Sequence, residues 1–357
     1  MKVLLLGAGA SAATLGDDIA PVSVGFGKTL NTRHSDWVNR FPFLRAAVAY
    51  LRNGAIDDWP LDAVWNGIDE NYKLRLVIAN DGYEWPSSPT MAKRLYQQYG
   101  YRSWSSFWIL AGWELKRAVA EVYGTALKPF MTQTLLEDKW LWKQIAALGE
   151  QDVIASTNYD LLAENIARLR WPSARNCLTH VELQNRTYAQ GPLVSKLHGS
   201  LDWWFCSNWI TKKHRVDRTL DGLPIGDDEI DLGQNFWETR PLVVAPVRYK
   251  DEIVFPGSQP AELVEVLTLQ WKMFVEALSR ADEFHVLGYR FPPDDSYGNR
   301  MLQEAMRRRP VKSELHVRLY LPDEPPKWEC RDCKTRLQKE IFPPTLAEIQ
   351  CCGKMPG

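Results

Sequence analysis

The segment KVLLLGAGASAA, residues 2–13, passes without a break from an apolar run to a glycine turn and then to small residues that suit a helix. A short apolar run with no alternating polar positions fits a strand buried on both faces, and such strands belong to parallel sheets covered by helices. The same grammar returns in DVIAS (152–156), LVSKLHGS (193–200), PLVVAPVRYKD (241–251), EFHVLGYRF (283–291) and ELHVRLYLP (314–322). Helical patterns lie between these runs, among them AENIARLRW (163–171) and AELVEVLTLQWKMFVEALSRA (261–281). The alternation predicts an α/β fold over residues 1–322: a doubly wound, Rossmann-like parallel sheet.

From about residue 35 to 148 the strand signal stops. FLRAAVAYLRN, PTMAKRLYQQYG, SFWILAGWELKRAVAEVYG and DKWLWKQIAALGEQ repeat apolar residues at spacings of three and four. They predict a large helical insertion between the first two strands. The sixteen tryptophans are concentrated in 59–142 and 203–237. In the insertion they serve either as a lid packed on its own core or as an assembly surface. Residues 15–30 and 203–240 are expected as loops, the first punctuated by Pro and Gly, the second polar and Trp-rich. DEPP (323–326) reads as a linker to a small Cys-rich tail, residues 323–357.

The net charge of −1 gives no general pull towards nucleic acid, so no direct nucleic-acid binding is expected. Arg307–Arg309 and Lys212–Arg215 are isolated basic clusters, expected as solvated charges. No apolar run approaches the roughly 18 residues of a membrane span. Val3–Leu6 is too short for a signal peptide's apolar core of about 7–15 residues. A cytoplasmic protein is therefore expected. Of the six cysteines, Cys177 and Cys206 are isolated. Cys330 and Cys333 form a C-x2-C pair, and with Cys351 and Cys352 they make a candidate structural zinc site. A reduced tail without metal is the alternative, because adjacent cysteines fit one tetrahedron poorly.

GAGASA satisfies G-x-G-x-x-A with Gly7, Gly9 and Ala12, directly after a strand. Glycines there let the backbone approach a pyrophosphate at a helix N-terminus. The acidic residue that a dehydrogenase carries about 20 residues later, at the end of a second strand, is missing, so hydride transfer is poorly supported. Other strands also end in polar or glycine stations: Thr157, Asn158, Tyr159 and Asp160; His198 and Gly199; Gly288. In open α/β sheets, ligands bind at the carboxyl ends of strands. Thr157 or Asn158 could equally cap the following helix. Four such endings together favour a site.

LLGAGAS, STNYDLLAE, KLHGSLDW, the pair Pro246–Lys250 and HVLGYRFPPDD, in this order, resemble the sirtuin superfamily. The closer resemblance is to its branch of bacterial NAD-consuming effectors of antiphage defence, over roughly residues 2–322. The resemblance implies NAD as substrate. Gly7, Ala8, Gly9, Ala10 and Ser11 would hold the pyrophosphate, with Thr157 and Gly199 beside the cofactor and Gly288 near the adenosine ribose. Asn158 matches the family's catalytic amide, Asp160 the acid that meets the nicotinamide carboxamide, and His198 the general base. The residue types suit the chemistry. Breaking the nicotinamide–ribose bond passes through an oxocarbenium-like state and needs orientation and one base near neutral pH.

The chain also departs from the deacylase pattern. An Asp-Phe-Arg loop is missing after the glycine turn, where DDIAPVSVGFGKTL stands, and only Cys206 follows the His-Gly station closely. Arg290 stands where a serine often follows Gly-Tyr. The two absences favour an NAD+ glycohydrolase over an NAD-dependent protein deacylase, while the Arg290 departure bears on the adenosine-side contacts. A module that senses NAD or ADP-ribose without turnover is the third alternative. As an antiphage effector, the chain is expected to be controlled by homo-oligomerisation or by a separate regulatory protein.

Overall fold

The structure, a computed structural model, describes residues 1–16, 20, 23–78, 104–127, 133–172, 191–208, 213–218, 237–243, 261–292, 295–310, 313–321, 327–343 and 347–354. The expected elements at Pro246–Lys250, at Cys177 and at PTMAKRLYQQYG lie outside these residues. The chain divides into two compact units, Met1–Ala20 with Leu127–Gly357, and Pro21–Ala126. The expected helical segment 35–148 is thus shared between them.

In the first unit the elements run β1 (Lys2–Leu6), α1 (Ala8–Leu15), then after the second unit α7 (Gln133–Leu136), α8 (Trp140–Ala146), β2 (Val153–Ser156) and α9 (Leu162–Arg170). They continue with β3 (Leu193–Lys196), β4 (Gly199–Asn208), β5 (Lys213–Arg218), β6 (Trp237–Val243), α10 (Ala261–Arg280) and β7 (Glu283–Leu287). Last come α11 (Ser296–Arg308), β8 (Leu315–Leu321), α12 (Lys327–Glu340) and β9 (Ala347–Lys354).

Six strands form one parallel sheet in the order β3-β2-β1-β7-β8-β9. The chain winds from β1 outward to β3, then returns to the far side of β1 and winds outward again. This is the doubly wound, Rossmann-like order, and it reverses between β1 and β7. Such a reversal opens a crevice at the carboxyl ends of the strands. Register brings those ends level: Leu6 pairs with Ser156 and Leu287, and Ser156 pairs with Lys196.

Helices cover both faces, which explains the unbroken apolar strands. Val3 and Leu5 join a core with Phe274 of α10, Leu302 of α11 and Leu337 of α12. Leu4 and Leu6 join a second core with Leu15 of α1, Leu136 of α7, Trp142 of α8 and Ile166 of α9. Val3, Leu4, Leu5 and Leu6 are each at most 2% exposed. Among the described residues no helix is long and apolar enough to cross a membrane.

Four expectations need correction. The tail beyond residue 322 is not merely a linker: α12 carries the chain over to β9, the sixth parallel strand. Only one side of β9 is apolar, Ala347 and Ile349 buried beside exposed Glu348 and Gln350, so it lacks the continuous signature of a central strand. The described part of the 241–251 run does not join the parallel sheet. It belongs to β6, which pairs antiparallel with β4 in a separate sheet ordered β5-β4-β6, where a loop was expected. Arg309 is not a solvated charge. It is 5% exposed, and its Nη1 donates to Leu278 and Ala281 carbonyls at 2.9 and 2.8 Å, satisfying the end of α10.

The fourth correction falls in the second unit, which holds a 3₁₀ turn at Ser23–Gly25, α2 (Phe26–Arg33), α3 (Trp37–Arg40), α4 (Pro42–Leu51), α5 (Leu61–Ile78) and α6 (Trp104–Leu127). Part of the expected 15–30 loop is thus helix α2. Within α2 the bare Cα of Gly27 lets Trp59 approach, where a Cβ would meet Trp59 N at 2.5 Å. Trp59 lies between Phe26 and Trp37, and Trp108 packs on Phe107 and Tyr50. Trp37, Trp59 and Trp108 are at most 1% exposed, so these rings form the core of this unit rather than an outer surface.

Candidate functional site at the carboxyl edge of the sheet

The first wall of the crevice is backbone. Gly7 links β1 to α1 and offers the helix no side-chain cap. A Cβ on Gly7 would lie 2.5 Å from the Gly288 carbonyl oxygen. Gly288, at φ +66°, has the converse constraint, since its Cβ would lie 2.3 Å from Ala10 N. The two glycines therefore close the exits of β1 and β7 against each other. Gly7 N donates to Leu287 O at 2.9 Å and Gly9 N to Gly288 O at 3.2 Å. Ala10 N donates to Gly7 O, Ala8 is exposed, and Ser11 is buried.

The exit of β2 supplies the second wall. Thr157 is tied back to β1, its N and Oγ1 both donating to Leu6 O. Asn158 Nδ2 donates to Gly7 O at 3.0 Å and to Ser11 Oγ at 2.9 Å. Ser11 Oγ in turn donates to Asp160 Oδ2 at 2.7 Å. Neither Thr157 nor Asn158 caps α9, because Asp160 Oδ1 takes the Leu162 N–H at 3.0 Å. Both Asp160 oxygens are thus engaged within the protein. Asn158 is 7% exposed, and its Oδ1 is buried without a hydrogen-bond partner.

The exit of β3 holds His198 on a turn that Gly199, at φ +82°, makes possible. His198 is 2% exposed and its Nε2 lies 3.2 Å from Asp295 Oδ2. Tyr159 and Trp271 flank the imidazole at centroid distances of 6.5 and 6.3 Å. Asp295 also accepts the Tyr289 hydroxyl at 2.7 Å and the Gly298 N–H at 3.1 Å. Burial, and then the Asp295 charge, push the Tyr289 phenol well above its ordinary range, so it stays a donor.

Beneath these groups lies a buried ion pair that the motifs did not single out. Lys196 is fully buried, with Nζ 2.8 Å from Glu164 Oε1 and donating to the Asp160 carbonyl at 2.5 Å. Ser200 Oγ donates to Glu164 Oε1 at 3.3 Å. Burial pushes the Glu164 carboxyl up; Lys196 opposes this and Asp202 adds to it. The signal was present in the sequence as a lysine inside an apolar strand and a glutamate on the apolar face of α9.

Asn158, Asp160, Ser11, His198 and the Gly7–Gly288 contact therefore share one edge of one sheet. Cys351 and Cys352 do not converge in this way. Cys351 packs against the core that contains Leu337 of α12, while Cys352 meets Tyr320 on the opposite face. Successive strand residues point to opposite sides, so the expected four-cysteine set is split. The side chains of Cys330 and Cys333, on α12, lie outside the described residues. Among the described residues no group of three or more His, Cys, Asp or Glu side chains could hold a metal ion.

No protein-family model matches the chain. No curated protein matches it either. Among solved structures, a crystal structure of Sir2 in complex with the inhibitor EX-527, 2'-O-acetyl-ADP-ribose and deacetylated p53-peptide aligns over 95% of this chain and 93% of its own. The identity is 12% and the TM-score 0.30.

Proposed function

We propose that this chain is a sirtuin-like NAD+ glycohydrolase, which cleaves the nicotinamide–ribose bond to give nicotinamide and ADP-ribose. The observation that carries the proposal is Asn158 Oδ1, a buried acceptor without a protein partner at the edge where the strand order reverses. A buried acceptor left unpaired costs about 1–3 kcal/mol. A ribose hydroxyl or an attacking water is a donor that would remove that cost. The Nδ2 bonds to Gly7 and Ser11 hold the amide in this orientation.

The roles follow from the residue types. The bond from the anomeric carbon to the nicotinamide nitrogen breaks, and its electron pair neutralises the positive pyridinium ring. Water oxygen bonds to the anomeric carbon, and its proton passes to His198 and then to solvent. Asn158 holds the water or the ribose without adding charge. Asp160, held by Ser11, borders the nicotinamide side. The Gly7–Ser11 turn places the α1 N-terminus toward the pyrophosphate, with Thr157, Gly199 and Gly288 along the nucleotide. The missing Asp-Phe-Arg loop supports hydrolysis over deacylation. From the same resemblance comes the biological setting, an antiphage effector regulated by self-assembly or a separate partner.

The test is nicotinamide release from NAD+ by the purified chain, beside His198→Ala and Asn158→Ala. Each variant, folded as judged by circular dichroism, should lose at least about 10²-fold in rate. Release that needs an acylated peptide would make the chain a deacylase. Binding of NAD+ with no release would make it a sensing module.

A further inference from the structure

We propose that Asp295 is a positioning residue for His198, holding the imidazole as the tautomer protonated at Nε2 and leaving Nδ1 as its basic nitrogen. The proposal rests on His198 being the general base of the hydrolysis. A neutral imidazole carries one ring proton, and the partner of one nitrogen decides which nitrogen keeps it. Nε2 lies 3.2 Å from Asp295 Oδ2, with His198 2% and Asp295 0% exposed.

Capping alone does not account for this arrangement. The N-cap duty of Asp295 uses Oδ1, which accepts from Gly298 N. Its other oxygen, Oδ2, is turned to Tyr289 and His198. A helix N-terminus, with its partial positive charge, suits a carboxylate, and the Gly298 N–H and the Tyr289 hydroxyl both donate to this one. The carboxylate is also fixed from its own backbone, since Asp295 N donates to Pro292 O at 3.0 Å. Tyr159 and Trp271, with ring centroids 6.5 and 6.3 Å from the imidazole, are uncharged. The carboxylate therefore orients the ring and stabilises the imidazolium formed when it takes a proton, the part an aspartate plays behind a catalytic histidine elsewhere.

The discriminating variant is Asp295→Asn. Its side-chain oxygen can still cap α11, but its amide offers hydrogen where Oδ2 offered a lone pair. Nitrogen-15 NMR of the full chain, with the His198 signals assigned by comparison with His198→Gln, reads the tautomer directly. The wild type should carry its proton on Nε2 and Asp295→Asn should lose that preference, with kcat falling about 10²–10⁴-fold and KM moving less than about threefold. Tyr289→Phe removes the hydroxyl that donates to Oδ2 and should preserve the tautomer. An unchanged tautomer in Asp295→Asn, or loss of stability with kcat unchanged, would overturn the proposal and reduce Asp295 to a helix cap. If neither wild type nor variant releases nicotinamide, the hydrolase assignment fails, and the tautomer comparison still decides the pairing.

Discussion

Asn158 and Ser11 stand 147 residues apart in the chain and meet at 2.9 Å, the amide Nδ2 donating to the hydroxyl Oγ. Ser11 passes its own hydrogen to Asp160. One hydroxyl at the start of α1 thus fixes two groups at the exit of β2.

Ser11→Ala removes both bonds at once. It leaves Asp160 Oδ2 without the Ser11 donor and Nδ2 of Asn158 with only the Gly7 carbonyl. A loss of about 1–3 kcal/mol in stability is expected, with KM for NAD+ raised about tenfold, equivalent to 1.4 kcal/mol. Thermal melts and initial-rate kinetics check this. If neither quantity moves, the hydroxyl bridge does not set the site.

Lys196→Met leaves Glu164 buried without its cation. Breaking such a pair costs about 3–5 kcal/mol, whereas replacing both partners by apolar residues is often close to neutral. Lys196→Met should therefore melt well below wild type, and Lys196→Met with Glu164→Leu should recover much of the loss. A double variant no more stable than the single one would show that the pair serves something other than mutual neutralisation.

Gly288→Ala meets two penalties. Its φ of +66° costs a side chain about 1–2 kcal/mol, and the new Cβ would press on Ala10 N at 2.3 Å. Gly54 has a φ of +93° and open space around its Cα. Gly54→Ala should thus incur the backbone cost alone and leave NAD+ binding intact, while Gly288→Ala should weaken binding as well. Calorimetric titration of both variants separates the two effects; equal binding in both would detach the Gly7–Gly288 contact from the ligand.

Glu114 gives the second unit a pH dependence. The carboxyl accepts the Leu44 N–H at 2.7 Å near the start of α4, yet burial pushes its pKa to about 8. A folded pKa above the ordinary 4.5 means that protons bind more tightly to the folded state. The stabilising contribution is full below about pH 4.5 and is lost as pH rises towards 8. Denaturant midpoints of the wild type should fall across that window, and Glu114→Gln should flatten this part of the profile. Parallel profiles for the two proteins would show that Glu114 does not carry the effect.

The strands most legible in the sequence are those buried on both faces. β1, β2, β3 and β7 show themselves as short apolar runs because helices cover either side of the sheet, whereas β8 alternates buried Leu315, Val317 and Leu319 with exposed His316 and Arg318. The stations that end them, Gly7, Asn158, His198 and Gly288, are visible for the same reason: polar and glycine residues stand out where an apolar run stops. β9 is harder to see. As an edge strand it alternates buried Ile349 with exposed Gln350, and its cysteines suggested metal instead. Asp295 was present only as the last residue of a Pro-Asp loop, with nothing in FPPDD to connect it to a histidine 97 positions earlier.

By itself the sequence determined the strands buried on both faces, most of the helices between them and the residues offered at the strand ends, but not α2, β4–β6 or β9. These depend on local periodicity, on glycine's lack of a side chain and on the contrast between apolar and polar stretches. Tertiary structure alone decided the order β3-β2-β1-β7-β8-β9, the meeting of Ser11 with Asn158 and Asp160, the burial of Lys196 on Glu164, and the pairing of His198 with Asp295. Each of these joins segments remote in the chain. Local patterning carries no record of such partners, because hydrogen bonds and ion pairs act over a few ångströms and form only after the sheet has aligned its strand ends.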